Sequence, residues 1–580
     1  MYVEDLKNEF YEFLTGKRIL LLVHYDIDSI CALKILQSIL KHKEVRYTLC
    51  VVRGVEDLKR SHQEHCADVK YFVLINCGGT VNLVDVLEPA DDAVFFVIDA
   101  HRPTHLDNIF SDGQVRLLWG PNEDAEVPEF QAVYRDDSDD ESGGEDEDEE
   151  NEGEGRAAKK RRLDEEAIMR RRERRLWEQR RFDIIAEYSQ YTYYAKASAV
   201  AMYKLAWLLN KDDKDLLWLA IVALTEQFLF SKIENTQYVL AAGELQAHTT
   251  RLKNRSNDAD VATSLKISFE KDLKLVLYRH WCVESSLKYS MFTACKMKLW
   301  SHRGSKKLYE LLADMGLPVA QSQQSFESMD LQLRKEFHES LEKLSEKYNL
   351  EDLIFTSFVL QFGYRNKYCA SDIVYAMLAI LESSPRDKPE ECFNSALDCL
   401  SRRHKETLQK AIERAKTITK TLFKTVQAAI DMKQIITAGS FVYYIIQEVR
   451  EYEINNNNNE TKTDFQGSLD WYMLSNQHIL LLLAQFILRA YVSMSKNKKA
   501  PDLPLIISAP KNLELGTCIV LGIPPLRQLS PKNNLGRAFE EAAENINYDV
   551  LSDYFDTSYF EIFTKDRTRF FDALTALFDK

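Results

Sequence analysis

The chain has 580 residues, 45% hydrophobic and 28% charged, with a formal net charge of −15. That length is about four typical domains' worth at most, so two or three domains are expected. Thirteen of the nineteen residues from Asp136 to Glu154 are acidic and none is basic; without them the net charge is −2. The folded parts are thus nearly neutral, which excludes a chain that is basic all over and coats duplex DNA.

The first residues, Met1 to Lys7, are polar and lack the basic and apolar regions of a signal peptide. Ten cysteines are scattered without a C-x-x-C pair, and the longest apolar run, Ile479 to Leu488, is about half a membrane span. A reduced, soluble, intracellular protein is expected. Arg18 to His24 reads as a buried parallel strand, followed by a helix over Ser29 to Lys41. Tyr47 to Val52, Tyr71 to Ile75 and Ala93 to Ile98 continue a β-α-β rhythm that predicts a doubly wound α/β domain. The acidic block cannot bury enough apolar surface to offset its ordering entropy, so disorder is expected there. Ser138 and Ser142 within it suit an acidophilic kinase. The chain then turns basic. Lys159, Lys160, Arg161 and Arg162 read as a nuclear localisation signal, or as a solvated face paired with the acidic insert.

From about residue 185 to 435 helices are expected: Ala195 to Leu209, Lys214 to Ser231, Phe269 to Cys282, Leu308 to Met315 and Ala370 to Glu382. Strand patterns return at Phe441 to Glu448, Leu503 to Ser508, Thr517 to Gly522 and Ser558 to Phe563, with helices over His478 to Tyr491 and Gly536 to Glu544. Asn455 to Asn459 is an all-Asn loop. A second α/β domain at the C-terminus follows from this alternation.

Three strands deliver polar groups to one sheet edge: Asp26 and Asp28 after the first, Asn76 after the third, and Asp99, His101 and Arg102 after the fourth. Carboxylates converging there need a metal ion, a proton or a basic neighbour, for which Arg102 is a candidate. Singly, each is more often a helix cap or a structural histidine; together and in this order they resemble the DHH phosphoesterase superfamily, which includes the RecJ exonucleases and manganese-dependent pyrophosphatases. Asp26 and Asp28 match its Asp-x-Asp motif. Asn76 stands where the superfamily has a metal-bridging Asp, and Asp99-Ala100-His101 stands for Asp-His-His. Glu226, in Ala223-Leu-Thr-Glu226, stands for a fourth-motif Asp. A neutral amide bridges two dications poorly and Ala100 supplies no ligand, so the resemblance implies a fold retained without its reaction: no catalytic residue, no cofactor and no metal expected.

Within the superfamily, Phe10-Tyr-Glu12, Phe72 to Gly79, Phe95 to Pro103, Leu312 to Pro318, Leu521 to Pro525 and Gly536 to Glu544 resemble a eukaryotic replication-factor family. The resemblance implies a nuclear, non-catalytic subunit of the replicative helicase, bridging the minichromosome maintenance hexamer and the GINS tetramer, with replication-loading factors, polymerase machinery and single-stranded DNA as further partners. No G-x-x-x-x-G-K-[ST] loop is present, which suits an ATPase that resides in the hexamer. Residues 1–125 are expected to begin the DHH-like domain, 126–165 to be the disordered acidic insert and 166–235 to complete the domain in helices. Residues 236–400 would be a helical insertion for helicase contacts, and 401–580 a C-terminal α/β domain like the DHH-associated one. Arg174, Arg175, Tyr364, Arg365 and Lys367 mix cations with aromatic residues and are the candidates for single-stranded DNA. Leu308, Leu311, Leu312, Met315 and Leu317 are candidates for a partner surface. Two other readings compete. A manganese-dependent exonuclease would need Asn76 and Glu226 to serve as ligands, and a helical-repeat adaptor would need a fixed repeat that the sequence lacks.

Overall fold

The computed structural model describes residues 1–120, 126–135, 155–255, 265–363, 366–382, 388–447, 473–527, 531–546 and 553–579, with no account of the side chains of 155–167 and 170. The N-terminal strands β1 (Arg18–His24), β2 (Arg46–Val52), β3 (Tyr71–Ile75), β4 (Val94–Ile98) and β5 (Val115–Leu117) form one sheet in the order β2-β1-β3-β4-β5. Every pairing in it is parallel, with Ile19 opposite both Tyr47 and Tyr71. β1 is a continuous apolar run because both of its faces are covered. Ile19, Leu21 and Val23 enter one core, and Leu20 and Leu22 enter another on the opposite side. Helix α1 (Ile27–Lys41) covers the first face together with α3 (Ser198–Leu208) and α4 (Lys214–Leu229), which come from beyond α2 (Gly155–Tyr188).

α5 (Asn235–Arg255) leads into the insertion. This part is not wholly helical: β6 (Lys266–Leu273), β7 (Ile354–Phe362) and β8 (Asn366–Cys369) make an antiparallel sheet in the order β8-β7-β6. The helix expected over Phe269 to Cys282 is absent: the stretch up to Leu273 is strand, and Tyr278–His280 is a single 3-10 turn. Ile267 to Leu273 find partners in β7 that lie about ninety residues away, and that pairing overrides the local apolar spacing.

α6 (Ala370–Leu381) packs against α7 (Lys405–Asp431), and the C-terminal sheet begins at Ile436. That sheet comprises β9 (Ile436–Ala438), β10 (Phe441–Ile445), β11 (Leu505–Asn512), β12 (Thr517–Ile523) and β13 (Tyr559–Phe563), in that order. Only β10 and β11 run parallel; between them lies α8 (Gln477–Met494). α8 is apolar enough by composition to cross a membrane, but Ile479, Leu480, Leu483 and Phe486 are buried in the large core of the molecule. α9 (Leu535–Asn545) and α10 (Arg567–Phe578) close the other face.

Two further expectations change. The insert from 126 to 165 is structured at both described ends. Phe130–Val133 is a helical turn whose Phe130 and Tyr134 pack on Phe110 at 5.4 and 5.7 Å, and α2 starts at Gly155. The Arg181 Nε donates to the Val133 carbonyl at 2.7 Å, which ties the two ends together. Leu308, Leu311, Leu312 and Leu317 are buried and Met315 packs on them, so this stripe is core rather than partner surface.

Candidate functional site at the carboxyl edge of the parallel sheet

β1 delivers His24, and Asp26 caps α1 by accepting from the Ser29 N–H at 2.6 Å. Asp28, in the first turn, faces inward and accepts from the Ser198 and Ala199 N–H groups at 2.8 and 2.9 Å. Those amides open α3, so the carboxylate also sits at that helix's positive end. Asn76 follows β3 at φ 54°, in the left-handed region that Asn tolerates better than most residues. Its Oδ1 accepts from the Ala100 N–H at 3.0 Å and from the Ser198 hydroxyl at 2.6 Å. The fixed Ala100 N–H decides which amide atom is oxygen. The Nδ2 must then donate, and it does so to Asp28 at 3.0 Å and Asp26 at 3.3 Å.

Asp99 ends β4 and accepts from Gly78 and Gly79 N–H at 3.2 and 2.8 Å and from the His101 Nδ1 at 2.7 Å. A Cβ on Gly79 would stand 2.9 Å from that of Asp99, so glycine is required for this approach. Arg102 reaches backbone carbonyls and an aromatic ring. Its Nη1 donates to the carbonyls of Asp99 and His101, and its guanidinium lies 4.2 Å from the centre of the Trp119 ring.

The basic neighbour is Lys232, in the turn after α4, whose ammonium lies 2.8 Å from Glu226. All of these groups are buried. Burial pushes Asp28 up to about 7, and the charge on Asp26 adds to the effect. Burial opposes charge on Asp26 as well, but the hydrogen bond and charge of His24, the charge of Lys232 and the Ser29 side chain outweigh it and hold this carboxyl well below its usual range. Burial also raises Glu226, whereas Lys232 is raised because Glu226, Asp26 and Asp28 outweigh its own burial.

These residues do not fit a divalent metal. An amide N–H₂ spans Asp26 and Asp28 where a bridging ligand would stand, both Asp28 oxygens are engaged by donors, and an ammonium supplies the local positive charge. Among the described residues no group of three or more His, Cys, Asp or Glu side chains is arranged to hold a metal ion.

The C-terminal part closes over this edge. Phe555 joins the second core and packs on His24 with ring centres 5.2 Å apart, and its carbonyl accepts from Thr80 Oγ1 at 3.0 Å. Asp553 accepts from the N–H groups of Val55 and Glu56 at 3.3 and 2.8 Å. Tyr194 donates to Asp556 at 2.7 Å, and Thr192 exchanges two backbone hydrogen bonds of 2.8 Å with Asn533.

The structure thus brings Asp26, Asp28, Asn76, Asp99, His101 and Glu226 to one edge. Arg174 and Arg175 lie elsewhere, exposed on α2, Arg174 pairing with Glu178 at 3.0 Å. Lys367 in β8 pairs with Glu270 at 3.3 Å, and Tyr368 is buried against His280 and Phe362. Tyr364 and Arg365 fall outside the described residues, as do the acidic block, Ser138, Ser142 and the all-Asn loop. Lys159 to Arg162 lie on the backbone of α2. Sequence reasoning missed Lys232, Ser198 and Phe555. The one available signal was the lysine six residues past Glu226.

Residues 19–155 and 121–577 match the CDC45 family. A cell division control protein 45 homolog of Homo sapiens is 39% identical over 582 residues, covering all of both chains. Cell division control protein 45 of Saccharomyces cerevisiae is 27% identical over 638 residues, covering 95% of this chain and 94% of its own. CDC45 from Entamoeba histolytica has the same fold, with a TM-score of 0.70 at 20% identity over the full length of both chains. With a family match along almost its whole length and end-to-end identity to the human homolog, the chain belongs to the CDC45 family.

Proposed function

We propose that this chain is a non-catalytic subunit of the eukaryotic replicative DNA helicase, joining the minichromosome maintenance hexamer to the GINS tetramer in the nucleus. Membership of the CDC45 family supports a role in DNA replication. The single observation behind the non-catalytic reading is the Asn76 amide. It satisfies Asp26 and Asp28 with N–H donors, leaving Lys232 as the compensating cation in place of a hydroxide-generating metal pair. The scaffold role is favoured by α2, thirty-four residues long and polar, with Ile168, Met169, Leu176 and Phe182 exposed along it. Exposed apolar residues on a polar helix suit a partner surface. Single-stranded DNA binding rests on Arg174 and Arg175, which are exposed on the same helix.

The test is manganese-dependent release of nucleotides from single-stranded DNA, with metal content measured on the same samples. The wild-type chain is expected to release none, and Asn76→Asp with Ala100→His to gain bound manganese. Release by the wild type that disappears in Asp26→Ala would overturn the non-catalytic reading.

A further inference from the structure

A second, half-open site lies away from the sheet edge, where the end of α4, the start of α5, the residues after β6, α6 and α8 meet. It is a cavity of about 250 Å³, walled by Phe228, Phe292, Phe355 and Tyr375. Two cations reach it, Lys274 and Arg489, and no carboxylate is among its lining residues. Arg489 makes no ion pair among the described residues; its Nη2 donates to the Ser231 hydroxyl at 3.2 Å. Lys274 likewise forms no ion pair there. Its Nζ lies 5.6 and 5.7 Å from the ring centres of Phe228 and Phe292, and Asp352, a carboxylate that acts on it, lies beyond ion-pair distance. Burial lowers both Arg489 and Lys274 from their ordinary values, so each bears the cost of a desolvated charge without a partner.

Two other buried cations of this protein have counter-charges: Arg279 has Asp272 and Lys232 has Glu226. The cavity beside Arg489 is also polar in the right places. Ser231 and Ser371 bring hydroxyls to it, and Ser371 sits in the first turn of the twelve-residue α6, at the positive end of that helix. An adjoining cavity of about 260 Å³ shares Arg489 and Ser231 but contains Glu234 and Asp556, so an anion is favoured on the Lys274 side.

We propose that the cavity between Lys274 and Arg489 is a binding site for a phosphate group, free or carried on a small ester. Arg489 offers a planar fork of donors to the oxygens, Lys274 a point charge, and Ser231 and Ser371 hydroxyl donors. The aromatic walls lower the local polarity on one side of the cavity and strengthen these contacts. The volume lies just below the ~300 Å³ at which drug-sized pockets begin, which sets the ligand at a phosphate or a small phosphate monoester rather than a polymer.

The test uses the full chain and two probes, inorganic phosphate and adenosine monophosphate, each titrated at constant ionic strength while the melting temperature is followed. Phosphate is expected to raise the melting temperature of the wild type, with an apparent Kd at least tenfold weaker in Arg489→Met and in Lys274→Met. Without phosphate, Arg489→Met is expected to melt no lower than the wild type, because an unpaired buried charge has been removed. A response to adenosine monophosphate that competes with phosphate assigns the site to esters; a response to phosphate alone assigns it to the free ion. An equal phosphate response in the wild type and Lys274→Met would overturn the proposal, and so would a wild type that responds to neither probe. Lys274→Met decides the matter even if Arg489→Met does not fold.

Discussion

Two buried polar clusters in this molecule are built on opposite plans. In the insertion, Asp272 is saturated: Arg279 holds it bidentately at 2.9 and 3.0 Å, Tyr278 donates at 2.7 Å and the Cys369 thiol at 2.8 Å. His338 Nε2 completes the cluster, donating to the Tyr278 oxygen at 2.9 Å. One carboxylate faces one guanidinium, and the charges cancel. At the sheet edge Asp26, Asp28 and Glu226 share the ammonium of Lys232, and the excess is absorbed by shifted proton affinities and by the Asn76 amide. The first cluster is an ion pair that fixes a strand to a turn. The second gathers several carboxylates around one side-chain ammonium.

The difference should show most strongly when a partner is removed. Asp272→Ala leaves Arg279 buried with no counter-charge, and an expected loss of about 4 kcal/mol would be read from urea denaturation. Lys232→Met is expected to cost about 3 kcal/mol, since the carboxylates it leaves behind escape partly by binding protons. Adding Glu226→Gln should recover more than half of that loss. Strict additivity of the two substitutions would break the view of Lys232 as the resident cation.

The clusters also differ in their response to pH. Asp28 titrates at about 7 in the folded chain against 3.8 for an ordinary aspartate. Between those values the folded state holds a proton that the unfolded chain has released. The stability due to this group is therefore full below about pH 4 and falls as pH rises towards 7, by at most about 1.4 kcal/mol per pH unit. Asp28→Asn should flatten the stability profile between pH 5 and 7. Asp26, held low, loses its contribution only below that window. The smallest effect belongs to neither cluster: Lys367→Ala breaks an exposed pair with Glu270 and should change stability by no more than about 0.5 kcal/mol.

The strand ends were legible because each is local. β1, β3 and β4 are short apolar runs, and the polar residue after each belongs to the same stretch of chain. Lys232 was not legible, because its role depends on α4 bringing a turn against an edge made two hundred residues earlier. β6 was missed for the same reason, its partner strand being β7. Phe555 reads as one aromatic among many until the C-terminal part is seen lying on His24. The apolar stripe of Leu308 to Leu317 shows the converse: periodicity identified a buried face correctly as apolar but could not say that its partner was this same chain.

The fastening of the C-terminal part across the sheet edge has a mechanical meaning. Asp553, Phe555, Asp556 and Asn533 meet three segments of the N-terminal part: the start of the helix after β2, Thr80, and the stretch that holds Thr192 and Tyr194. Contacts to three separate segments resist a swing of one sheet against the other more than a single hinge would, so a load applied to the C-terminal sheet is expected to pass into the parallel sheet, as through a strut rather than a jaw.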